Sequence, residues 1–198
     1  MKTTKVIYLT GAPATGKSTL SRNLVKRIPD LKVFAYSEEL RKRLPRKSGG
    51  PLLTEDDIRR QSARVVTAEA INQLDQELVD MVQQERCHRS ILIDSHPVTK
   101  EDYGFRITGF DVPTIQRLSP DVLVCLYASS DVTRARIQVD AMGRPLPSAF
   151  ESDMHTHLQA SVVSQYGVVT GKPVYFFDSG CAQEELAQAV LTQLRLTV

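Results

Sequence analysis

The sequence has little net charge and no long apolar run, and each shortage excludes a class of protein. Lysine and arginine number 25 against 23 aspartates and glutamates, for a net charge of +2. A strong basic field of the kind that duplex-binding proteins use is therefore missing. The longest apolar runs, such as residues 122–128, are too short to cross a bilayer. We expect no membrane span and no strong nucleic-acid interaction.

Cysteines are also few, and their pattern indicates free thiols. Cys87, Cys125 and Cys181 are odd in number and lack metal-ligand spacing. The segment before the first glycine-rich loop is too short for a signal peptide. Both features favour a cytoplasmic protein with reduced thiols. A chain of 198 residues with 41% apolar and 24% charged residues fits one globular domain spanning residues 1–198.

Short apolar runs alternate with helical patterns along the chain. The predicted strands are 6–10, 31–36, 90–94, 122–127 and 174–177. The first predicted helix follows the first loop and ends at Ile28, and further helices are predicted at 38–44, 54–86, 130–139, 152–165 and 183–196. Ser37 is predicted to cap the second helix, and Thr54 and Asp57 to form a capping box at the start of the third. Continuously apolar strands separated by helices predict an α/β fold, a parallel sheet with helices on both faces.

Residues 11–18 read GAPATGKS and fit G-x-x-x-x-G-K-[ST], the phosphate-binding loop. Its glycines let successive backbone N–H groups point at phosphate oxygens, at the positive end of the following helix. Lys17 can reach the β- and γ-phosphates of ATP, and the Ser18 hydroxyl can ligate Mg²⁺. The residues predicted to bind the nucleotide are Gly11, Ala14, Thr15, Gly16, Lys17, Ser18 and Thr19.

An acidic residue ends the third predicted strand. Asp94 follows Ile91-Leu92-Ile93, and ligands of open α/β sheets lie beyond the carboxyl ends of the strands. We predict that Asp94 is a catalytic acid that holds Mg²⁺ with Ser18, the alternative being a helix-capping aspartate. His96, two residues on, is either a substrate contact or an ordinary polar residue.

Arginines cluster in two segments that could close over the substrates. Phosphoryl transfer needs positive charge around the transferred group and exclusion of water. Residues 140–150 are a predicted lid with two prolines and one glycine; Arg136 precedes this segment and Arg144 lies within it. We assign both arginines to the donor side as catalytic residues beside Lys17. Arg41 and Arg60 are predicted to bind the acceptor.

The sequence also contains aromatic and histidine side chains whose roles have to be weighed. Tyr103, Phe105 and Phe110 could stack a nucleobase or pack on the core. His155 and His157 are two residues apart on a predicted helix, so they do not share a face and form no metal pair. By analogy with the fold, the loop at residues 178–181 is expected to bind the nucleobase.

Several motifs together resemble the archaeal-type adenylate kinases. They are the phosphate-binding loop, Ile93-Asp94-Ser95-His96, Gly104-Phe105 with Gly109-Phe110, Leu118-Ser119-Pro120-Asp121, Arg136-x-x-x-Asp140 and the run YGVVTG at 166–171. The resemblance covers nearly the whole chain in order. It implies a P-loop kinase fold with a five-stranded parallel sheet, a helical acceptor-binding segment near 37–86 and a short lid near 140–150. It further implies ATP with Mg²⁺ as donor, a nucleoside monophosphate as acceptor, and often a homotrimer.

The lid departs from the family pattern. Ile137 follows Arg136 where the family has a second arginine, Arg144 stands alone beyond the lid aspartate, and Ala160 replaces a helix arginine. An arginine that stabilises transition-state charge is commonly worth several orders of magnitude in rate. Either the enzyme is slow, other charges such as Arg134 compensate, or the acceptor differs from AMP.

Three functions remain open at this point. The first is a nucleoside monophosphate kinase that converts ATP and AMP to two ADP. The second is a kinase of a hydroxyl acceptor (a nucleoside, a sugar or a polynucleotide 5′-OH), which needs a carboxylate such as Asp94, Asp56 or Asp57. The third is a slow nucleotide-gated ATPase or assembly factor.

Overall fold

A five-stranded parallel sheet forms the centre of the computed structural model, which describes residues 4–43, 67–139 and 145–195. Its strands are β1 (Val6–Gly11), β2 (Lys32–Ala35), β3 (Ile91–Asp94), β6 (Val122–Tyr127) and β7 (Val174–Asp178), and their order across the sheet is β2-β3-β1-β6-β7. Every neighbouring pair is parallel. The predicted α/β fold with a five-stranded parallel sheet is confirmed.

Seven described helices cover the sheet. They are α1 (Lys17–Arg27), α2 (Tyr36–Arg43), α3 (Ala68–Glu85), α4 (Val112–Leu118), α5 (Ser130–Gln138), α6 (Ala149–Thr170) and α7 (Gln183–Leu194). Alternate residues of β1 face two separate cores: Ile7 lies in the core built with α1 and α7, and Tyr8 in the core built with α3, α4 and α6. Burial on both faces explains why residues 6–9 of the strand form a continuous apolar run.

Two helices begin earlier than the sequence predicts, and one of them, α6, also ends later, at Thr170 instead of residue 165. The helix α2 begins at Tyr36, so Ser37 lies in its first turn and does not cap it. The helix α6 begins at Ala149 because Ser148 and Glu151 form a capping box, in which Ser148 N–H donates to the Glu151 carboxylate at 2.8 Å. Residues 149 and 150 of the predicted lid therefore belong to α6, whereas 140–144 lie outside the described residues.

The third predicted helix is described from Ala68, and Thr67 caps it by accepting from Ala70 N–H. The predicted capping box of Thr54 and Asp57 lies outside the described residues.

A hairpin and a short helix between β3 and β6 were not predicted. The antiparallel strands β4 (Val98–Glu101) and β5 (Gly104–Ile107) meet at a turn where Gly104 has φ +140°, a value that favours glycine. The helix α4 follows, with Asp111 accepting from Thr114 N–H at 2.8 Å and a proline in its first turn. The hairpin is the important addition, because it brings a further wall to the phosphate-binding loop.

The remaining sequence expectations concern membranes and thiols. Within the described ranges, none of the helices combines the length and apolar composition that crossing a membrane requires. Cys87, Cys125 and Cys181 are all free, and only Cys125 is buried.

Candidate active site

The phosphate-binding loop leaves the carboxyl end of β1 and enters α1. Gly11 has φ +154°, and a Cβ on it would lie 2.6 Å from the Leu126 carbonyl oxygen. Gly16 has φ +85° and precedes the first residue of α1. Both positions therefore require glycine, the first because the backbone of β6 approaches it and the second because of its left-handed conformation.

The loop folds around its own backbone carbonyls. Lys17 Nζ donates to Gly11 O at 2.5 Å and to Ala12 O at 3.3 Å, and the buried Thr15 hydroxyl donates to Ala12 O at 2.7 Å. No side chain in the described ranges caps α1, and its first turn carries no acidic residue. The positive end of this helix is thus presented to an anion, as in phosphate-binding loops generally.

Asp94 ends β3 beside the loop. The register places it next to Leu9 of β1 and Ala35 of β2, one strand away on either side. Burial raises the pKa of its carboxyl, the Lys17 ammonium partly opposes this, and the Glu38 carboxylate adds to it. The strand β3 therefore places the partly desolvated Asp94 carboxylate at the edge of the sheet where the phosphate-binding loop lies.

A cavity of about 470 Å³ opens over the loop. Most of the residues predicted as site residues line it, namely Gly11, Ala14, Gly16, Lys17, Ser18, Thr19, Asp94, His96 and Arg136. Thr15 also belongs to the loop, but its side chain is fully buried. Arg41 lies on α2 and does not line this cavity, while Arg60 and Arg144 lie outside the described residues.

The Arg136 guanidinium joins two loops. It donates to Ala14 O at 3.1 Å and to Ser179 O at 2.7 Å, so it connects the phosphate-binding loop with the turn after β7. Ser179 is fully buried, and its own N–H donates to Tyr127 O at 2.7 Å. Arg136 therefore holds the loop in place from α5, in addition to presenting positive charge at the cavity.

Sequence reasoning missed Lys100 and assigned no site role to His155, although both line the cavity. Lys100, on β4, forms an ion pair with Glu151 at 3.1 Å, and its Nζ lies 5.7 Å from the centre of the Phe105 ring. His155, on α6, lies 3.1 Å from Val98 O through Nε2. The Asp-Tyr-Gly turn at 102–104 is the signal that could have revealed the hairpin and hence Lys100.

His155 is held neutral. Burial lowers its pKa to about 4, and the Lys17 and Lys100 ammonium groups act in the same direction. Because a carbonyl oxygen only accepts, the contact with Val98 requires the proton on Nε2. His155 therefore links the hairpin to α6 without adding charge to the cavity.

Of the three aromatic residues left open by the sequence, two are packed. Phe110 contacts the rings of Tyr8, Tyr36 and Tyr166. Phe105 meets the His155 ring edge-on at 5.3 Å between ring centres. Tyr103 is 71% exposed on the hairpin turn.

The oxygen ligands at the loop fit Mg²⁺. Ser18 and Asp94 both line the cavity, and Mg²⁺ in such sites takes one or two protein oxygens together with waters and substrate phosphates. The part of the chain that the structure describes holds no group of three or more His, Cys, Asp or Glu residues suited to a metal. The oxygens of Ser18 and Asp94 are therefore of the type that could ligate Mg²⁺ together with a bound phosphate.

Strand order, glycine-rich loop and cavity together define a P-loop protein of the kinase type. A family model described as "AAA domain" matches residues 10–149, and the chain belongs to this family. It is 24% identical over 171 residues to an adenylate kinase of Methanothermobacter thermautotrophicus, covering 86% of this chain and 88% of that protein. The resemblance inferred from the sequence motifs is therefore confirmed.

Solved structures show the same fold. A sugar kinase from Janibacter sp. aligns with a TM-score of 0.59 at 14% identity, covering 98% of this chain and 95% of that one. The tunicamycin resistance protein of Deinococcus radiodurans aligns with a TM-score of 0.58 at 16% identity, covering 98% and 97%. The shikimate kinase of Bacteroides thetaiotaomicron follows with 0.55 at 17% identity, covering 97% and 99%. At these identities the likeness concerns the fold alone.

Proposed function

We propose that the protein transfers the γ-phosphoryl group of ATP to a nucleoside monophosphate, with AMP as the first candidate acceptor. The observation that carries this proposal is the charge of the cavity. Its charged lining in the described residues comprises three cations, Lys17, Lys100 and Arg136, and one carboxylate, Asp94. Because Glu151 pairs with Lys100, the excess of positive charge comes from Lys17 and Arg136 against Asp94. This excess suits two anionic substrates whose phosphates meet over the loop.

Each residue has a proposed role in this reaction. The loop N–H groups and Lys17 bind the donor phosphates, and Arg136 fixes the loop while adding positive charge. Ser18 and Asp94 would hold Mg²⁺, which would supply positive charge against the phosphates. The acceptor phosphate oxygen is already anionic, so no general base is required. Arg41, Arg60, Arg144 and His96 stay predictions as acceptor-side or lid residues.

The sequence relative supports the same acceptor class. The likeness to an adenylate kinase extends over most of both chains, whereas the solved structures are less similar in sequence. The thinned lid arginines remain a physical reason to expect slower turnover than a full set would give.

A kinase of a hydroxyl acceptor is the second candidate, and one observation favours it. Asp94 is a half-buried carboxylate whose pKa is raised, and a raised pKa improves a carboxylate as a general base near neutral pH. In this alternative the Asp94 carboxylate would accept the proton of an acceptor hydroxyl that lies beside the loop. The third candidate, a slow nucleotide-gated ATPase, requires no acceptor.

The test is ADP formation from ATP and Mg²⁺ across a panel of acceptors. The panel contains AMP, GMP, CMP, UMP, deoxynucleoside monophosphates, nucleosides, sugars, shikimate, a 5′-OH oligonucleotide and no acceptor. Lys17→Ala controls for contaminating kinases, and circular dichroism checks that it folds. Stimulation by a nucleoside monophosphate supports the proposal. Stimulation only by a hydroxyl acceptor selects the second candidate, and acceptor-independent hydrolysis selects the third.

A further inference from the structure

A stripe of polar side chains runs along one face of α6. Glu151, His155 and Gln159 are spaced four positions apart on this helix, so they share a face. The first two reach the hairpin strand β4, Glu151 by its ion pair with Lys100 and His155 by its contact with Val98 O. Gln159 reaches the central strand β1 instead. The same helix face therefore holds both the hairpin and the strand that leads into the phosphate-binding loop.

The amide of Gln159 is buried but only half satisfied. The residue is fully buried, and its Nε2 donates to the Thr10 hydroxyl. Its Oε1 has no hydrogen-bond partner within the described ranges. Burying a polar atom without a partner costs free energy, which an apolar side chain of similar size would avoid. Packing alone therefore does not account for a glutamine at this position.

Thr10 is the last residue before the first glycine of the loop. It is fully buried and lies next to Cys125 of β6 in the sheet register. The following residue, Gly11, accepts from Lys17 Nζ at 2.5 Å and lies so close to Leu126 O that it has no room for a Cβ. A shift of Thr10 would therefore move both the start of the loop and the carbonyl that contacts Lys17.

The same contact belongs to a small buried polar cluster beneath the edge of the sheet. The hydroxyls of Thr10 and Ser95 interact with the fully buried hydroxyl of Tyr8. Ser95 follows Asp94 in the chain, and its N–H donates to Leu9 O at 3.1 Å. The cluster thus connects the start of the loop with the strand end that carries Asp94.

We infer that Gln159 is a positioning residue for the donor phosphates and that it acts through Thr10. Gln159 does not line the cavity over the loop, so its effect on the nucleotide is indirect. Its hydrogen bond fixes the end of β1 against α6, which keeps the loop arranged for the phosphates before they bind. An apolar contact would bury the same surface without fixing a direction. The inference rests on the part of the proposed function that concerns ATP and is independent of the acceptor.

Four variants and a matched control test the inference. Gln159→Met keeps the length of the side chain and removes the amide, and Thr10→Val keeps the branched shape and removes the hydroxyl. Each leaves a buried partner unpaired and should lower the Tm, whereas Thr10→Val/Gln159→Met leaves none and should unfold within about 3 °C of the wild type. Thr10→Ser retains the hydroxyl. The control Gln165→Met makes the same substitution at an exposed position of α6.

The measurements are calorimetric titrations with two probes, a non-hydrolysable ATP analogue with Mg²⁺ and inorganic tripolyphosphate, together with the Tm of each variant. Both single variants should bind both probes about fivefold more weakly than the wild type, as expected for the loss of one neutral hydrogen bond. The double variant should show the same loss and not a larger one, because both substitutions remove one shared contact. Thr10→Ser and Gln165→Met should bind as the wild type does.

The decisive comparison is between stability and binding. A double variant with the Tm and also the affinity of the wild type would overturn the inference, because the hydrogen bond would then serve folding alone. If the double variant does not fold, equal binding by Thr10→Val and Thr10→Ser overturns it. A loss for the ATP analogue without a loss for tripolyphosphate also overturns it, since the effect would then concern the base or ribose.

The same titrations separate this inference from the proposed function. A wild-type protein that binds the ATP analogue but phosphorylates no nucleoside monophosphate refutes the proposed acceptor, and the variants then still decide the role of Gln159. A wild-type protein that binds neither probe overturns both.

Discussion

Removing the Arg136 side chain should loosen the phosphate-binding loop measurably. Arg136 donates two hydrogen bonds, one to Ala14 O in the loop and one to Ser179 O after β7. Hydrogen bonds from charged donors contribute about 1.5–3 kcal/mol each, and partial exposure of this residue places the pair nearer about 2 kcal/mol in total. For a chain of this length, that corresponds to a drop in Tm of about 4–8 °C in Arg136→Ala.

Differential scanning calorimetry measures the drop, and calorimetric titration with a non-hydrolysable ATP analogue measures binding. We expect weaker nucleotide binding as well, because a looser loop must be ordered when the phosphates bind. The matched control is Arg117→Ala, an exposed arginine on α4 that donates to Gln76 Oε1. If Arg136→Ala and Arg117→Ala unfold within about 1 °C of each other, the role of Arg136 in holding the loop is refuted.

Three further changes test other parts of the site. Gly11→Ala should destabilise the fold by about 3 kcal/mol, because its Cβ would lie 2.6 Å from Leu126 O; an unchanged urea midpoint would contradict the close approach. In the folded protein the pKa of His155 is lowered from 6.5 to about 4, so between these pH values the imidazole is protonated in the unfolded chain but not in the folded one. The free energy of unfolding should therefore fall by up to about 3 kcal/mol as the pH drops from 6.5 towards 4. His155→Gln should lose this dependence in urea titrations at each pH, and an equal slope in both proteins would argue against a neutral buried imidazole. Asp94→Asn should shift the Mg²⁺ titration of activity to higher concentration, whereas an identical titration would make Asp94 structural.

The parts of the fold that could be predicted from sequence depend on local patterns. The strands β1, β3 and β6 are mostly apolar because both faces of the sheet are covered. The apolar runs of β1 and β3 end at Thr10 and Asp94. The β4–β5 hairpin was missed because its strands have only four residues each and carry charged side chains such as Lys100. The start of α4 did have a local signal, Asp111 followed by a proline at 113.

Some residues of the site could likewise be predicted from local sequence patterns, and others could not. Lys17 and Asp94 could be placed together from sequence, since the carboxyl ends of parallel strands meet at one edge. Lys100 and His155 are 55 positions apart in the sequence, and only tertiary packing brings them to the same cavity wall. The contact of Arg136 with Ser179 O likewise depends on how α5 packs beside the turn after β7, which no periodicity encodes.

The central claim, phosphoryl transfer to a nucleoside monophosphate over the loop, is tested most directly by following the γ-phosphate. The wild type and Lys17→Ala are incubated with γ-³²P-labelled ATP, Mg²⁺ and AMP, and the products are separated by chromatography. The account predicts label in the β-position of newly formed ADP with the wild type and its loss in folded Lys17→Ala. Label appearing only in inorganic phosphate, or equal transfer by both proteins, would contradict it.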